Sequence, residues 1–592
     1  MPVATAGQEA VLQSEARVRV VKAAPGSGKT WLISELVRRE VASWQLVHCG
    51  TAALSFTNVA GGEIVRAVGS APTYPHFVGT IDSFLFRYAV QPFAKKFNTQ
   101  WPRAELLPAD ATRAVDRARG FGAFNVKIPG SNDRISIFEV DFVREGADGI
   151  PVFAYSPRGR RKSIQGRHAA EMLDQKKRVW RTTGLLSHSD AAYVAAKIIA
   201  SDDARSGAVR ALLARRFPLI IVDEAQDTGY FRSEALRRLL EQSDIRGVVV
   251  GDPDQAIYEF AGASPELMNM FLSLTGSEEF DLNETKRCSS SVTRVVNQLR
   301  STGSPVSPSP DAGAGETTLV SYSDLTQAAA YCLGQTTQCD DLVVLARSKA
   351  DLERIGATRE SGLKGLGSKE VECLFRAVSW LRSGHPDKAL HQAGIAIGRV
   401  VLGAADALDW LRVDSSVPVS EARRVTVEIL VAVDARAVST SILAWSGAVK
   451  EIVEHVLLQA GLWESGMSIR RPHRNKVEGL VWPPSRGQAR QSESGENDFA
   501  GRAHTIHGVK GETHERTLLF VPPRRRSDRC PSQQWWPTGS EESEERRVAF
   551  VAASRPRHSF ILVVHRDTYR RLTERRPDFV ESFSERVILP VE

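Results

Sequence analysis

Short runs of consecutive apolar residues recur along the chain and give the first indication of its fold. Six of them are rich in β-branched residues and bounded by Gly, Asp or Ser: VRVVKA, PLIIVDE, GVVVGD, DLVVLAR, RTLLFV and SFILVV. Strands that are apolar at every position are buried on both faces, which is typical of parallel sheets flanked by helices. By contrast, Gly365 to Leu462 carries apolar residues at three- and four-residue spacing, which predicts helices. The pattern therefore predicts an α/β protein with an additional helical region.

The composition is that of a large globular protein. The 592 residues suffice for several domains of about 100–200 residues each. Lys and Arg total 77 and Asp and Glu total 70, and the resulting net charge of +7 permits a polyanionic partner without requiring one. The sequence has no apolar run of about eighteen residues that would predict a membrane span, and its first residues do not resemble a signal peptide. The six cysteines form no CxxC pair, so we expect a reducing, cytoplasmic environment.

A glycine-rich loop follows the first predicted strand. The strand Val18 to Ala23 leads into APGSGKT, and a helical pattern begins directly afterwards. Strand, glycine loop and helix in this order are the context of a phosphate-binding P-loop, which a chance glycine-rich turn would lack. Backbone N–H groups of such a loop surround phosphates, so this interpretation predicts an ATP site formed by Ala24, Gly26, Ser27, Gly28, Lys29 and Thr30. Lys29 would reach the β- and γ-phosphates, and the Thr30 hydroxyl would bind Mg²⁺.

A pair of carboxylates supplies the second half of a nucleotide site. The apolar run Leu219 to Val222 carries Asp223 and Glu224 to the carboxyl end of a buried strand. Asp223 is suited to hold Mg²⁺, and Glu224 to orient and deprotonate an attacking water. Paired acids alone usually indicate only a solvated turn, but this pair follows a buried strand in a chain with a P-loop. The 194 residues between Lys29 and Asp223 exceed one nucleotide-binding core, so we expect an insertion between them.

Taken together, these and further motifs resemble the UvrD/Rep/PcrA family of superfamily 1 DNA helicases, from about residue 8 to residue 564. Besides the P-loop, six stretches are similar to motifs of that family in the same order: FTNVAGGE from Phe56, GTIDSF from Gly79, VDEAQDT from Val222, GDPDQAIY from Gly251, TIHGVKGE from Thr505 and ERRVAFVAASR from Glu545. Seven ordered motifs exclude coincidence. The resemblance implies two RecA-like P-loop domains with parallel sheets, each carrying a mainly helical insertion.

The resemblance also implies a role for individual residues. Gln8 corresponds to a glutamine that reads adenine, Gln255 to one that senses the γ-phosphate, and Glu512 to an acid that binds ribose. Arg287 and Arg555 correspond to arginine fingers, which stabilise charge on the transferring phosphoryl group when the cleft is closed. The motifs further imply DNA contacts from Thr57, Asn58, Thr80, Tyr258, Phe260, Thr505 and His507.

Several positions differ from the family pattern. Lys286 replaces the tyrosine that stacks on adenine, and Asp82 replaces a histidine of the strand-contact motif. Phe260 and Ala261 stand where the family has Trp and Arg, so base stacking is retained and the arginine contact is lost. Glu512 is shifted by one place from the family's ribose-binding acid.

Basic clusters add a possible DNA surface. The clustered residues are Arg158, Arg160, Arg161 and Lys162, then Lys176, Lys177, Arg178 and Arg181, then Arg524 to Arg526, with Trp180 inside the second cluster. Such patches suit a phosphate backbone, and a merely solvated face is an equal alternative. No nuclease motif of spaced Asp, Glu and Lys follows residue 564, so we expect that the chain cuts no DNA by itself.

We predict the following domain organisation from these motifs. Residues 1–92 and 208–283 form the first RecA-like domain, with 93–207 as its helical insertion; 284–356 and 500–592 form the second, with 357–499 as its insertion. One function implied by the resemblance is an ATP- and Mg²⁺-dependent helicase that moves 3′→5′ on single-stranded or partly duplex DNA. The reduced second insertion and the KGETH stretch from Lys510 also resemble the helicase-like subunit of Gabija anti-phage systems. That alternative implies a DNA-sensing ATPase that recruits or activates a partner nuclease.

Overall fold

The computed structural model divides the chain into two compact units. One comprises residues 1–106, 127–357 and 499–592, and the other 107–126 and 358–498. The structure describes residues 4–57, 61–62, 64–66, 74–97, 101–107, 124–156, 161–242, 244–259, 262–301, 304–339, 341–356, 368–382, 386–401, 411, 417–439, 442–464, 467, 469, 502–523 and 543–590. Within these ranges, no helix has both the length and the apolar character that a membrane crossing needs.

The first core of the larger unit is a six-stranded sheet in which all neighbouring strands are parallel. From edge to edge its strands are Ser277–Leu282, Val18–Ala23, Arg246–Gly251, Leu219–Val222, Thr51–Ser55 and Phe77–Thr80. The helices of this core are Ala6–Gln13, Lys29–Ser43, Ile81–Leu85, Gln91–Phe97, Ala204–Arg216, Tyr230–Leu240 and Glu266–Asn269, with a π-helical turn at Phe86–Val90. The strand Leu219–Val222 is buried at every position, because helices cover both faces of the sheet.

The second core repeats this architecture. Its sheet is also six-stranded and parallel, in the order Ala503–Thr505, Leu342–Ala346, His514–Phe520, Pro556–His565, Glu316–Tyr322 and Glu585–Ile588. Its helices are Ser290–Leu299, Leu325–Gln338, Lys349–Arg354, Glu544–Ala553, Arg566–Arg575 and Pro577–Glu581. A small parallel pair, Glu284–Thr285 with Ser307–Pro308, lies where the chain enters this core. The predicted α/β fold with two parallel-sheet cores is thereby confirmed.

Between strands of the first core, the chain forms a segment with both helices and short strands. The helices are Arg167–Thr183 and His188–Ala200, and the short strands are Glu105–Leu106, Asn125–Lys127, Arg134–Ser136, Asp141–Glu145, Pro151–Tyr155, Lys162–Ile164 and Leu185–Leu186. Asp141–Glu145, Pro151–Tyr155 and Lys162–Ile164 pair as an antiparallel sheet. The sequence analysis did not predict this sheet, because its strands have only three to five residues and the two outer strands, Asp141–Glu145 and Lys162–Ile164, lack the all-apolar pattern.

Two residues of the second basic cluster lie inside this segment instead of on its surface. The side chains of Lys176 and Asp190 are each 1% exposed, and their charged atoms lie 2.6 Å apart. Lys176 Nζ also donates to the Ile137 carbonyl at 2.9 Å. Trp180 is buried and its Nε1 donates to Asp190 Oδ2 at 3.3 Å. The expectation of a DNA surface was therefore wrong for Lys176 and Trp180, since a helix places every third or fourth residue on its inner face.

Within 358–498, the described residues of the smaller unit are mainly helical, as the spacing of apolar residues predicts. Its helices are Lys369–Arg382, Pro386–Val401, Val419–Ser439 and Ile442–Gln459. Trp445 lies at the centre of their shared core, fully buried, and its Nε1 donates to the Val433 carbonyl at 2.7 Å. That bond satisfies the only polar atom of the largest side chain in this core.

Candidate active site

The P-loop has a backbone shape that forms an anion cradle. Gly26 and Gly28 have φ angles of 73° and 81°, which side chains with a Cβ atom rarely adopt. The helix Lys29–Ser43 begins directly after Gly28, so its first N–H groups face the loop. Ser27 Oγ is buried and has no hydrogen-bond partner within the described part of the chain. Ala24, at the start of the loop, is fixed because its N–H donates to the Leu282 carbonyl at 2.8 Å. A phosphate fits here, since it would satisfy these donors.

Gln8 lies beneath the P-loop and is 1% exposed. Its Nε2 donates to the Ser27 carbonyl at 2.9 Å, and its Oε1 accepts from the Thr5 N–H at 2.9 Å. Thr5 and Gln8 form a capping box at the start of the helix Ala6–Gln13. The residue that the resemblance associates with adenine is thus bonded to the phosphate loop itself.

Lys29 and the two carboxylates meet at the carboxyl end of the central strand. Lys29 Nζ lies 3.8 Å from Glu224 Oε1, and Asp223 Oδ1 accepts from the Glu224 N–H at 2.8 Å. Glu224 is the one non-glycine residue with positive φ among those described, at 52°, a strained conformation that clusters at functional sites. Burial by itself raises the pKa of Glu224. The opposing effects are stronger and lower this pKa to about 2: they are the positive charges of Lys29, Lys510 and Arg555 and a hydrogen bond from Gln226. Glu224 is therefore ionised at neutral pH.

A hydrogen-bonded path that the sequence analysis missed connects Glu224 with the second core. Gln226 Nε2 bonds to the carboxylates of both Glu224 and Asp227. Lys510, from the second core, reaches Asp227 Oδ2 at 2.5 Å and the Gln255 carbonyl at 2.6 Å. Burial raises the pKa of Asp227 to about 6, although Lys510 acts in the opposite direction. Gln226, Asp227 and Lys510 lie inside the quoted motifs, but only the fold shows that they touch.

Gln255 and Arg555 join the two cores beside this path. Arg555 Nη2 donates to Gln255 Oε1 at 3.1 Å, and Gln255 Nε2 donates to Asp252 Oδ2 at 2.7 Å. Arg555 is 1% exposed, and its Nε donates to the Val551 carbonyl at 2.9 Å. Burial, followed by the charge of Arg287, lowers the pKa of Arg555 to about 9, so its guanidinium is still charged at neutral pH.

Arg287 lies against both the P-loop and the Arg555 segment. Its Nη1 donates to the Ser554 carbonyl at 3.1 Å, and burial lowers its pKa. The N–H of Lys286 donates to the Gly26 carbonyl at 2.9 Å. A Cβ atom at Gly26 would lie 2.4 Å from Arg287 Cβ, so glycine is required there by close approach as well as by its φ angle. The structure thus brings Lys29, Glu224, Gln255, Arg287 and Arg555 to one cleft.

Glu512 lies at the edge of this cleft. Its carbonyl accepts from Arg555 Nη1 at 3.3 Å, and its carboxylate lies 3.2 Å from His514 Nε2. The side chain is 54% exposed. An exposed carboxylate one residue after Gly511 is available to a ligand, and its backbone fixes Arg555 at the same time.

Three of the predicted DNA-contact residues, Thr57, Thr80 and Thr505, lie at or just beyond the ends of strands. Thr80 caps the helix Ile81–Leu85, since its Oγ1 accepts from the Ser83 N–H at 3.1 Å. Thr57 accepts from Ser55 Oγ through its carbonyl at 2.8 Å, and Thr505 ends a strand of the second sheet. Asn58 and Phe260 lie outside the described residues.

Tyr258 and His507 are part of the contact between the cores. The Tyr258 ring lies 5.7 Å from the Phe56 ring and 6.1 Å from the His507 ring, and Lys510 Nζ lies 4.8 Å from its centre. Burial raises the pKa of Tyr258 to about 12. Burial and the nearby Arg347 lower the pKa of His507, so its Nε2 donates to the Ile257 carbonyl at 3.2 Å as the neutral tautomer.

Asp82, which replaces the family's histidine, is bonded within the protein. Arg232 Nη2 donates to its Oδ2 at 3.0 Å, and His188 Nδ1 lies 2.9 Å from the same oxygen. Burial opposes ionisation, but Arg232 and His188 together hold the pKa of Asp82 well below its usual range. The residue thereby ties the GTIDSF motif to the helices Tyr230–Leu240 and His188–Ala200.

Comparison with known proteins shows what the chain is similar to. Residues 4–274 match the family described as UvrD/REP helicase N-terminal domain. The chain is 27% identical to "ATP-dependent DNA helicase UvrD2" of Mycobacterium tuberculosis over 277 residues, which cover 44% of this chain and 38% of that protein. It is 24% identical to an "ATP-dependent helicase/nuclease" subunit of Lactobacillus gasseri over 234 residues, covering 36% and 19%.

A third relative is a Gabija protein by its name. The chain is 24% identical to "Gabija protein GajB" of Bacillus cereus over 280 residues, covering 47% of this chain and 45% of that protein. In all three comparisons the chain spans less than half the length of the relative. The match of residues 4–274, somewhat less than half of the chain, to the UvrD/REP helicase N-terminal domain confirms the resemblance to UvrD-type superfamily 1 helicases.

Proposed function

We propose that the chain is an ATP-dependent DNA helicase or translocase of the UvrD type, which hydrolyses ATP in the cleft between its two cores. One observation carries the proposal: Arg555 of the second core bonds Gln255 of the first, beside the Lys29–Glu224 pair. Cations contributed by a second domain act only while the cleft is closed. Hydrolysis is therefore tied to cleft closure, which is what a motor requires.

Each residue of the cleft has a chemical task in this proposal. The P-loop N–H groups and Lys29 bind the β- and γ-phosphates of the substrate. Glu224, ionised because of its cationic neighbours, accepts the proton of the water that attacks the γ-phosphorus. Arg287 and Arg555 stabilise the negative charge on the transferring group. Gln255 connects that charge, through Arg555, to the second core.

Thr30 and Asp223 are proposed to hold Mg²⁺, whose chemistry is to neutralise charge on the phosphates. A hydroxyl and a carboxylate at the P-loop suit this ion, since Mg²⁺ prefers oxygen ligands. Gln8 supports the nucleotide site through the Ser27 carbonyl, and the exposed Glu512 carboxylate is the candidate for the ribose.

Single-stranded or partly duplex DNA is the proposed polymer substrate. This proposal is supported by the match to the helicase domain and by the names of the relatives. The residues proposed to contact DNA are Thr57, Asn58, Thr80, Tyr258, Phe260, Thr505 and His507. We propose that residues 1–92 and 208–283 form the first domain, with 93–207 as its insertion. The second domain would comprise residues 284–356 and 500–592, with 357–499 as its insertion. A cytoplasmic location is proposed because Cys49, Cys288, Cys332, Cys339 and Cys373 are free thiols.

A second candidate function rests on the similarity to the Gabija protein GajB. In that case ATP hydrolysis and DNA binding license a separate nuclease in anti-phage defence, and unwinding is minor. Strand displacement by the purified chain on tailed duplexes, with Lys29→Ala as the inactive control, distinguishes the two functions. Processive unwinding of 3′-tailed duplexes supports the helicase. DNA-stimulated ATPase without unwinding, together with co-purification of a nuclease, supports the sensor. Absence of ATPase with and without DNA contradicts both.

A further inference from the structure

One short segment of the first core is held by the second core at consecutive backbone positions. The Gln255 carbonyl accepts from Lys510 Nζ at 2.6 Å. The next carbonyl, of Ala256, accepts from Arg547 Nε at 2.7 Å, and that of Ile257 accepts from His507 Nε2 at 3.2 Å. Three adjacent carbonyls bonded by side chains of another core leave this segment little freedom to move alone. A displacement at either end is therefore passed to the second core.

Glu259 continues this contact at the end of the segment. Its carboxylate forms an ion pair with Arg547, and its N–H donates to Glu544 Oε1 at 3.2 Å. Its carbonyl accepts from Arg161 Nη1 at 3.2 Å, a residue next to the antiparallel sheet of the inserted segment. One residue thus joins the inserted segment, the first core and the second core.

The partner of Glu259 stands at the start of the helix that leads to a proposed catalytic arginine. Arg547 lies in the first turn of Glu544–Ala553, a helix buried along its whole length after Glu544. Arg555 follows two residues after the helix ends and is bonded back to the Val551 carbonyl at 2.9 Å. A helix of ten residues is rigid over about 15 Å, so a shift at Arg547 reaches Arg555.

We propose that Glu259 is a positioning residue that couples DNA occupancy to the placement of Arg555 through Arg547. In the chain Glu259 directly precedes Phe260, which the sequence predicts to stack on a base. The proposal rests on the proposed DNA-stimulated ATPase and adds a residue that needs to touch neither DNA nor nucleotide.

An ordinary surface ion pair would not have this effect, since exposed pairs contribute little. The Arg547 side chain is only 3% exposed, although that of Glu259 is 43% exposed. Removing the carboxylate leaves a buried guanidinium without its charged partner, and the cost of a buried unpaired charge forces a local rearrangement. That rearrangement would break the connection between Glu259 and the helix Glu544–Ala553, while Arg555 keeps its own bonds to Gln255 and the Val551 carbonyl.

The test compares Glu259→Ala, Glu259→Gln, Arg547→Met and the Glu259→Ala/Arg547→Met double variant with wild type. Glu266→Ala, at an exposed glutamate of the same core, is the matched control. For each protein, ATPase turnover is measured without DNA and at saturating oligo(dT), and the affinity for oligo(dT) by fluorescence anisotropy. Thermal unfolding reports on the fold.

We expect the Glu259 variants to lose about fivefold or more of the stimulation by DNA, the lower end of ordinary allosteric coupling. Turnover without DNA and oligo(dT) affinity should stay within about twofold of wild type, because the residue contacts neither ligand in this proposal. The double variant should lose no more stimulation than Arg547→Met alone, since Glu259 acts through Arg547. Glu266→Ala should behave as wild type.

Three results would overturn the proposal: normal stimulation in both Glu259 variants, a loss explained by weaker oligo(dT) binding, or an equal loss of turnover without DNA. Glu259→Gln, which keeps the size of the side chain, decides the question if Glu259→Ala unfolds. If wild type itself is not stimulated by DNA, the proposed function fails and this inference fails with it. If DNA stimulates the ATPase of wild type and of the Glu259 variants equally, this inference fails and the proposed function stands.

Discussion

Arg555 Nη2 and Gln255 Oε1 are 3.1 Å apart, although 300 residues separate them in the chain. The bond crosses from one parallel-sheet core to the other, and both side chains are nearly fully buried. Gln255 is bonded on its other side to Asp252, in the same core as Lys29 and Glu224. Any change that separates the two cores at this point must break this bond.

Glu224→Gln should reduce ATP turnover by a factor on the order of 10² or more, because the amide cannot accept the proton of the attacking water. Nucleotide affinity should change much less, since Lys29 and the P-loop still bind the phosphates. Turnover is measured by phosphate release and affinity with a fluorescent ATP analogue. Glu266→Gln, at an exposed site, is the control. Normal turnover in Glu224→Gln would refute this assignment.

Arg555→Ala should lower turnover by about 10³-fold, the lower range for an arginine finger. Arg555 is proposed to stabilise negative charge that develops on the transferring phosphoryl group only in the transition state, so ATP binding should weaken far less than turnover. Arg555→Lys keeps the charge without the planar fork and should recover only part of the rate. Losses of equal size in affinity and turnover would mark Arg555 as a simple binding residue, and thermal unfolding checks that its buried bonds are not needed for the fold.

Gln8→Ala should raise KM for ATP and for GTP by a similar factor, about tenfold, because the Ser27 carbonyl loses its buried donor. Both ends of the Gln8 amide are bonded within the protein, so its loss disturbs the phosphate loop irrespective of the base. A steady-state comparison of the two nucleotides checks this. A loss confined to ATP would instead support direct reading of adenine.

Asp227 should make stability depend on pH in a defined direction. Its folded-state pKa of about 6 lies above that of an unfolded aspartate, so the folded protein binds the proton more tightly. This contribution is fully present below about pH 4 and is lost as the pH rises through about 6. The thermal midpoint of wild type relative to Asp227→Asn should therefore fall over that interval. Asp148→Asn, at an exposed turn, should show no such trend, and a flat difference for Asp227→Asn would contradict the assignment.

Lys176→Met should destabilise the larger unit by about 3–5 kcal/mol, because it leaves the Asp190 charge buried and unpaired. Lys177→Met, at the neighbouring and more exposed position, is the matched control and should be close to neutral. Denaturant unfolding followed by Trp fluorescence measures the difference, since Trp180 bonds to the same carboxylate. Equal effects of the two substitutions would show that the Lys176–Asp190 pair is energetically unimportant.

The sequence by itself determined the α/β class and the two parallel-sheet cores, and it singled out the residues of the proposed nucleotide site. All-apolar strands and the P-loop are local signals: six consecutive residues specify a buried strand, and seven specify a phosphate loop. The predicted Lys29, Glu224, Gln255, Arg287 and Arg555 accordingly meet in one cleft.

Only the tertiary structure decided which side chains face one another. Lys176 and Trp180 have the composition of a DNA patch, but the helix turns them inward onto Asp190. Lys510 and Asp227, or Arg547 and Glu259, are separated by more than 280 residues, and no local pattern relates them. Such pairs depend on how the two sheets approach each other. The relative position of the two sheets depends on the close packing of many residues at once, and the order of apolar and polar residues along the chain does not predict it.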